Sequence, residues 1–454
     1  MAKNFILSIT VFFTYFFIYY LSFCQSSSPL SYSLRECIDY AITHQPEILN
    51  AQIDELSSYQ KVREYVSTGL PQLNASLEFN DFIKIPTTLI PAEFIGGPRG
   101  SFIPVQFGTK YNSTLGMQLN QLIFDGSFLV GLQAAKEYTN LTKLSTKKSK
   151  IEIAANVSKA YYMALAAEKK LALLDANLER LEKLLVDTKA MQEVGMAEKI
   201  DVDRITVNLN NLKTEKEKAQ RLVALSNSIL KFHMGLPQNV ELQLVESISE
   251  ESIAQMYKDT AENVPLENRI EYQLLKKNYE LQGLNVKRIR YMYYPTLNAY
   301  ASLQTQAFRQ TFNFFDTRER WFAISVIGFR FNFPLFDSFR KDAMLKQAHL
   351  EQVKTENQIK NFRKTADFEL INAKANFINH LKSLEIQKRN MALAQEVLKV
   401  AELKYKQGIG TSLELITAEA EYKAAQTNYI NTLMDLYITH VDLQKALGTL
   451  YPEP

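Results

Sequence analysis

Four short motifs occur twice in the same order, and that repetition limits what this 454-residue chain can fold into. Leu70-Pro71-Gln72-Leu73-Asn74-Ala75 is echoed by Tyr294-Pro295-Thr296-Leu297-Asn298-Ala299, and Leu122-Ile123-Phe124-Asp125 by Pro334-Leu335-Phe336-Asp337. Gly195 followed by Ile200-Asp201-Val202 returns as Gly408 followed by Leu413-Glu414-Leu415, and Met234-Gly235-Leu236 as Leu447-Gly448-Thr449. The glycines 195 and 408 lie 213 residues apart but the first motif pair 224, so the first half carries extra residues, in the loop around Ile85 to Gly108. A period this long excludes a solenoid and predicts one domain built from two similar halves.

Each half opens with a helical pattern, Leu34 to Ser67 and about Leu266 to Tyr293, closed by the proline of the first motif, which cannot continue a helix. Extended segments of period two follow. Leu73, Ala75, Leu77 and Phe79 alternate with Asn74, Ser76, Glu78 and Asn80, and the pattern returns from Tyr111 to Asn120, from Leu297 to Gln304 and from Ile327 to Phe333. Strands are therefore expected near 70–82, 109–124, 294–306 and 319–334. Each approaches the ~10 residues of a tilted membrane strand, with a polar face suited to water and an apolar face suited to lipid. A half-buried strand of a soluble sandwich alternates in the same way. The N-terminal signal described below and the lack of other strands favour the membrane. Four strands cannot close a barrel, and open edges are forbidden in lipid, so several chains must share one.

After the second strand of each half, Ser127 to about Glu193 and Ser338 to about Lys406 run without proline, on the order of 100 Å of helix. Leu171, Leu174, Leu178, Leu181 and Leu185 step by three and four, as do Met391, Ala394, Leu398, Ala401 and Tyr405, which is coiled-coil spacing. The chain then turns at Gly195 and Gly408 and returns through Ile200 to Phe232 and Leu413 to Leu447. These turns are hairpin tips; glycine as a left-handed helix cap explains them, and a tip so far from the strands also suits docking.

Met1-Ala2-Lys3-Asn4 and the apolar run Phe5 to Phe23 read as a secretory signal, with cleavage expected after Cys24. A retained anchor and a lipidated Cys24 are the alternatives; bulky Phe23 opposes the second. Without Cys24 only Cys37 remains, so no intrachain disulfide is expected. A net charge of +3 gives no nucleic-acid footprint. His44, His233, His349, His380 and His440 form no ligand pair, and Gly408-Ile409-Gly410 and Gly96-Gly97-Pro98-Arg99-Gly100 lack the rest of a dinucleotide or phosphate loop. The second of these reads as a mobile surface loop. No enzyme, metal or cofactor is expected.

Leu34-Arg35-Glu36-Cys37-Ile38-Asp39-Tyr40-Ala41 with Gln45-Pro46-Glu47-Ile48, and the closing Ala446-Leu447-Gly448-Thr449-Leu450, give the assembled pattern its resemblance to the outer-membrane efflux protein family, the TolC-like exit ducts. The likeness covers almost all of the chain after residue 24. It implies a mainly α fold with membrane β: a long antiparallel coiled-coil helical barrel continuing into a shared transmembrane β-barrel, four strands per chain, in a homotrimer. The expected organisation is a signal peptide at 1–24, then one domain, 25–454, of two repeats (about 30–237 and 262–454). The resemblance implies a passive duct in the outer-membrane lipid with a periplasmic extension. Its partners would be a periplasmic adaptor and an inner-membrane RND or ABC transporter, in drug efflux or type I secretion. Adaptor docking falls on Gly195, Met196, Gly408 and Ile409. The family's gate stretch, Tyr-x-x-Gly-x-Arg-x-x-x-Asp-x-x-Asp, falls on Tyr405, Gly408, Gly410, Glu414 and Thr417. Gly410 and Thr417 depart from it, so Tyr405 and a ring of Glu414 carboxylates are the expected gate or selectivity residues. A nonconducting coiled-coil spacer anchored by its N-terminus is the competing reading.

Overall fold

A proline sets the first break in the structure. Ser33 caps helix α1 (Leu34–His44) through a capping box, its backbone N–H donating to the Glu36 carboxylate at 2.8 Å. The helix stops because Pro46 holds Gln45 in an extended conformation. A second helix, α2 (Pro46–Ser67), then begins, so the single helix expected over Leu34 to Ser67 is two. The computed structural model describes residues 30–250, 253, 256 and 265–451. The expected signal segment and Cys24 lie outside the described residues.

Further along the described residues come helices α3 (Gly126–Glu193), α4 (Lys199–Met234), α5 (Ile270–Tyr291), α6 (Arg340–Lys406) and α7 (Ser412–Leu447). The strands are β1 (Leu30–Tyr32), β2 (Gln72–Asp81), β3 (Thr87–Pro91), β4 (Phe102–Gln106), β5 (Tyr111–Phe124), β6 (Leu242–Leu244), β7 (Thr296–Arg309) and β8 (Phe322–Asn332). The order α2-β2-β5-α3-α4 in the first half returns as α5-β7-β8-α6-α7 in the second. Corresponding helices have 22 and 22, 68 and 67, and 36 and 36 residues.

The chain divides into two units. The first comprises Met1–Gln52, Ser145–Gln273 and Asn361–Pro454. Its main core joins Cys37 and Ala41 of α1, Val157, Tyr161 and Ala164 of α3, Leu230 and Met234 of α4, Phe377 of α6 and Leu433, Leu436 and Leu443 of α7. A second core is the coiled coil. All ten positions of the two three-and-four stripes belong to it, with Leu174, Leu181, Leu398 and Tyr405 buried and the others packed against them. In this unit β1 and β6 pair in parallel over three residues each, a contact not expected from the sequence because such short strands leave no periodic signal.

The second unit comprises Ile53–Leu144 and Leu274–Lys360. It holds a four-stranded antiparallel sheet in the order β2-β5-β7-β8. Register fixes its two faces. Leu73 pairs with Leu119, which pairs with Ala301, which pairs with Ile327; one residue along, Asn74, Gln118, Ser302 and Val326 form the neighbouring row. The period of two therefore places an apolar and a polar row system on opposite faces of β2, β5 and β7, while β8 adds Phe322, Ile324 and Val326 to the rows that are polar on its neighbours. The apolar side is uncovered among the described residues: Leu73 and Leu77 are 67% and 70% exposed. Below the sheet, Tyr65 stacks on Phe128 at 5.4 Å and Lys277 pairs with Glu137 at 3.0 Å.

Residues 85–108, expected as a loop, contain an antiparallel ribbon in which Ile90 faces Ile103 and Pro91 faces Phe102. Pro91 and Pro104 hide the strands from a sequence reading, yet both strands of a two-stranded ribbon are edges, where proline is tolerated. Gly96 to Gly100 is its tip.

Candidate functional site at the helical hairpin tips

Both long hairpins turn in the same way. At the first, the Met196 N–H donates to the Met191 carbonyl at 2.8 Å and Gly195 has φ +80°. At the second, the Ile409 N–H donates to the Lys404 carbonyl at 3.1 Å and Gly408 has φ +72°. This helix-ending motif needs a left-handed residue, which glycine supplies without strain. A Cβ at either glycine would meet open space, so conformation and not crowding selects them. Around these turns Val194, Met196, Ile200, Ile409 and Leu413 are all exposed. The returning helices restart on side-chain caps: Asp201 accepts from the Glu198 N–H at 3.1 Å, and Thr411 from the Glu414 N–H at 3.2 Å. The tips are adjacent, because Ser412 receives Arg204 at 3.3 Å and donates to Asp201.

Tyr405 and Glu414 do not share a surface of the chain. Tyr405 is buried in the coiled-coil core with Leu398 and Leu415. Burial pushes its hydroxyl pKa up, Thr188 beside it opposes this, and Asp201 adds to it. Glu414 is exposed on the first turn of α7, in a groove with Val397, Val400, Leu413, Thr417 and Glu421. Thr417 bonds back to the Leu413 carbonyl at 2.8 Å. Gly410, expected from the sequence to depart from the gate stretch, packs so closely that a Cβ would lie 2.9 Å from Lys404 Cβ and 3.0 Å from the Tyr405 nitrogen. Any side chain there must displace the turn.

Sequence reasoning missed the polar links that join the two hairpins above the tips. Arg180 of α3 grips Glu419 of α7 with two hydrogen bonds of 2.9 Å, lies 3.9 Å from Glu402 of α6 and sits over the Tyr422 ring at 5.3 Å. Buried Asn177 donates to Gln426 at 2.9 Å. Lys423 binds Glu215 at 3.0 Å, and Lys406 lies 3.7 Å from Asp187. A signal existed: Glu419 and Gln426 occupy steps of the otherwise apolar α7 stripe Leu415, Tyr422, Ile430, Leu433, and polar residues in a core stripe need partners.

Burial raises the Glu402 carboxyl pKa, with Arg180 opposing, Glu419 adding and Lys406 opposing. A carboxylate whose pKa rises on folding contributes its full stability below its unfolded value and loses it as pH climbs through the folded one. Glu402 therefore makes the hairpin pair firmer at mildly acidic than at neutral pH. Thermal melts from about pH 4 to 8 should show Glu402→Gln gaining on the parent protein as pH rises. A constant difference across that range would contradict the assignment.

This arrangement of paired hairpins, glycine tips and a two-faced sheet has counterparts among known proteins. The sequence profile of the outer membrane efflux protein family matches residues 37–235 and 277–449. The outer membrane protein TolC of Escherichia coli is 21% identical over 452 residues, covering 94% of this chain and 84% of that protein. The probable efflux pump outer membrane protein TtgC of Pseudomonas putida is 21% identical over 340 residues, 75% of this chain and 69% of that protein. The crystal structure of the outer membrane protein VceC from Vibrio cholerae shares the fold with a TM-score of 0.70 at 16% identity, over 91% of this chain and 96% of that one. With more than half its length matched in both halves, the chain belongs to the outer membrane efflux protein family.

Proposed function

We propose that three copies of this chain build one passive duct, each giving four strands to a shared outer-membrane β-barrel and two helical hairpins, from two repeats, to a periplasmic tunnel. The family function, an outer-membrane channel of a tripartite efflux system, sets the frame. The sheet is the observation that carries the finer reading. It has an apolar face, an opposite face that is polar on β2, β5 and β7, and, among the described residues, no cover on the apolar side and no partner for the edges β2 and β8. Unpaired backbone groups in lipid each cost several kcal/mol, on the order of a lost hydrogen bond or more, so β8 of one copy must meet β2 of the next. A nonconducting spacer has no use for the polar rows Asn74-Gln118-Ser302 and Gln72-Asn120-Tyr300, which suit a watery lumen.

The exposed apolar residues at Gly195, Met196, Gly408 and Ile409 supply the docking surface for a periplasmic adaptor that couples the duct to an inner-membrane RND or ABC transporter exporting small molecules or proteins. Gly195→Val or Gly408→Val adds strain of about 1–2 kcal/mol at the turn alone. Each should abolish efflux while outer-membrane trimers remain, and normal export by both variants would refute the docking role. Three Glu414 carboxylates around the tunnel axis would repel one another and attract cations. Glu414→Gln keeps the shape, so loss of cation preference in planar bilayers at unchanged trimer yield is the expected result. Unchanged selectivity would assign Glu414 to the outer face. Buried Tyr405 would act on the same gate by holding the α6 side of the turn.

A further inference from the structure

The ribbon β3–β4 is the largest feature of the second unit that the duct does not use. It has no counterpart in the second half, where β7 and β8 are joined by residues 310–321 alone. Leu89, Phe94, Ile95, Phe102 and Phe107 are exposed on it, Phe94 to 80%. An isolated two-stranded ribbon is marginal in water, and one with bare apolar faces needs a cover.

Lipid is the wrong cover. At the end of β2 and β5 Phe79 packs with Tyr111, Phe312 and Phe314, and Phe314 with Trp321, an aromatic cluster of the kind that marks a barrel's lipid–water boundary. The charged Asp81, Lys84 and Lys110 come next along the chain, and only then the ribbon. Its apolar side chains therefore lie past the boundary, where protein is the available cover. Pro91 and Pro104 blunt its edges against strand addition, leaving side-chain faces as the means of contact.

We propose that the ribbons of the three copies pack against one another over the outer mouth of the barrel and narrow it. This inference rests on the shared-barrel reading. β2, the edge strand that meets the next copy, runs directly into β3, so each ribbon rises at the seam between copies. Self-association meets little charge repulsion, because Glu93 and Arg99, of opposite sign, are the only charged residues between 85 and 108.

The test uses the full-length protein in lipid nanodiscs and planar bilayers, with native mass measured first on the parent. Phe94→Cys treated with a short bis-maleimide should yield covalent copies linked to one another. With Cys24 replaced by Ser in both, the parent should not react, since Cys37 is buried and its thiol is pushed up to about 12 by that burial. A nitroxide at the same position should be shielded from lipid-dissolved oxygen. Replacing residues 87–106 with a short Gly-Ser link should raise single-channel conductance several-fold at unchanged trimer yield. Trimers whose Phe94→Cys residues do not crosslink overturn the ribbon contact alone, an oxygen-exposed nitroxide assigns the ribbon to lipid, and unchanged conductance without residues 87–106 overturns the narrowing. A parent that is not trimeric overturns the shared barrel, and the ribbon contact with it.

Discussion

Met117→Arg is expected to remove the protein from the outer membrane as assembled trimers, while Gln118→Arg, one residue along the same strand, leaves them in place. Both positions lie mid-strand in β5, with β2 and β7 on either side. Met117 sits in the apolar row between Ala75 and Leu303, and Gln118 in the polar row between Asn74 and Ser302. A charge on the lipid face of a barrel costs about 2–4 kcal/mol at the bilayer midplane, and a threefold assembly incurs it three times. On the lumen face the same charge stays in water and alters ion selectivity. Heat-modifiable trimer bands from isolated outer membranes read the outcome. Equal loss for both variants would mean the two faces are not lipid and lumen.

Glu419→Ala should lower stability by about 3 kcal/mol, because removing one partner of a largely buried pair leaves Arg180 with only the more distant Glu402 carboxylate, at 3.9 Å. Glu419 is the more enclosed partner, with 8% of its side chain exposed against 31% for Arg180, and that partial exposure places the effect at the low end of the range for buried pairs. The loss extends past one ion pair, since Arg180 also donates to Asn177 at 2.9 Å and Asn177 in turn to Gln426. Arg180→Met combined with Glu419→Leu fills the same space without charge and should recover most of the stability. Urea unfolding followed by circular dichroism measures both. Additive losses in the double variant would show that the two side chains act separately.

Gly410 gives this link its significance. Tight packing of Gly410 against Lys404 and Tyr405 leaves no room for a side chain at the turn. The polar connection between the hairpins runs through Arg180, Glu419 and the Asp201-Ser412-Arg204 group.

The sheet faces and the coiled-coil stripes were legible because each rests on a period that sequence displays directly: two for Leu73 to Phe79, three and four for Leu171 to Leu185. Glycine ends were legible for a similar reason, since Gly195 and Gly408 are required by conformation at a fixed point of the chain. The break at Pro46 was equally visible, but the strong helical pattern on either side masked it. What the sequence could not display was partnership. Arg180 and Glu419 lie 239 residues apart, and nothing local to either names the other. The ribbon was hidden because its prolines read as loop residues, although at edges they interrupt no ladder.

Native mass spectrometry of the detergent-solubilised protein, joined to single-channel recording of the same sample, tests the shared duct most directly. The expected result is a species of three chains that conducts ions steadily across a planar bilayer. A single chain that is stable in detergent and conducts, or a trimer that never conducts, would contradict it.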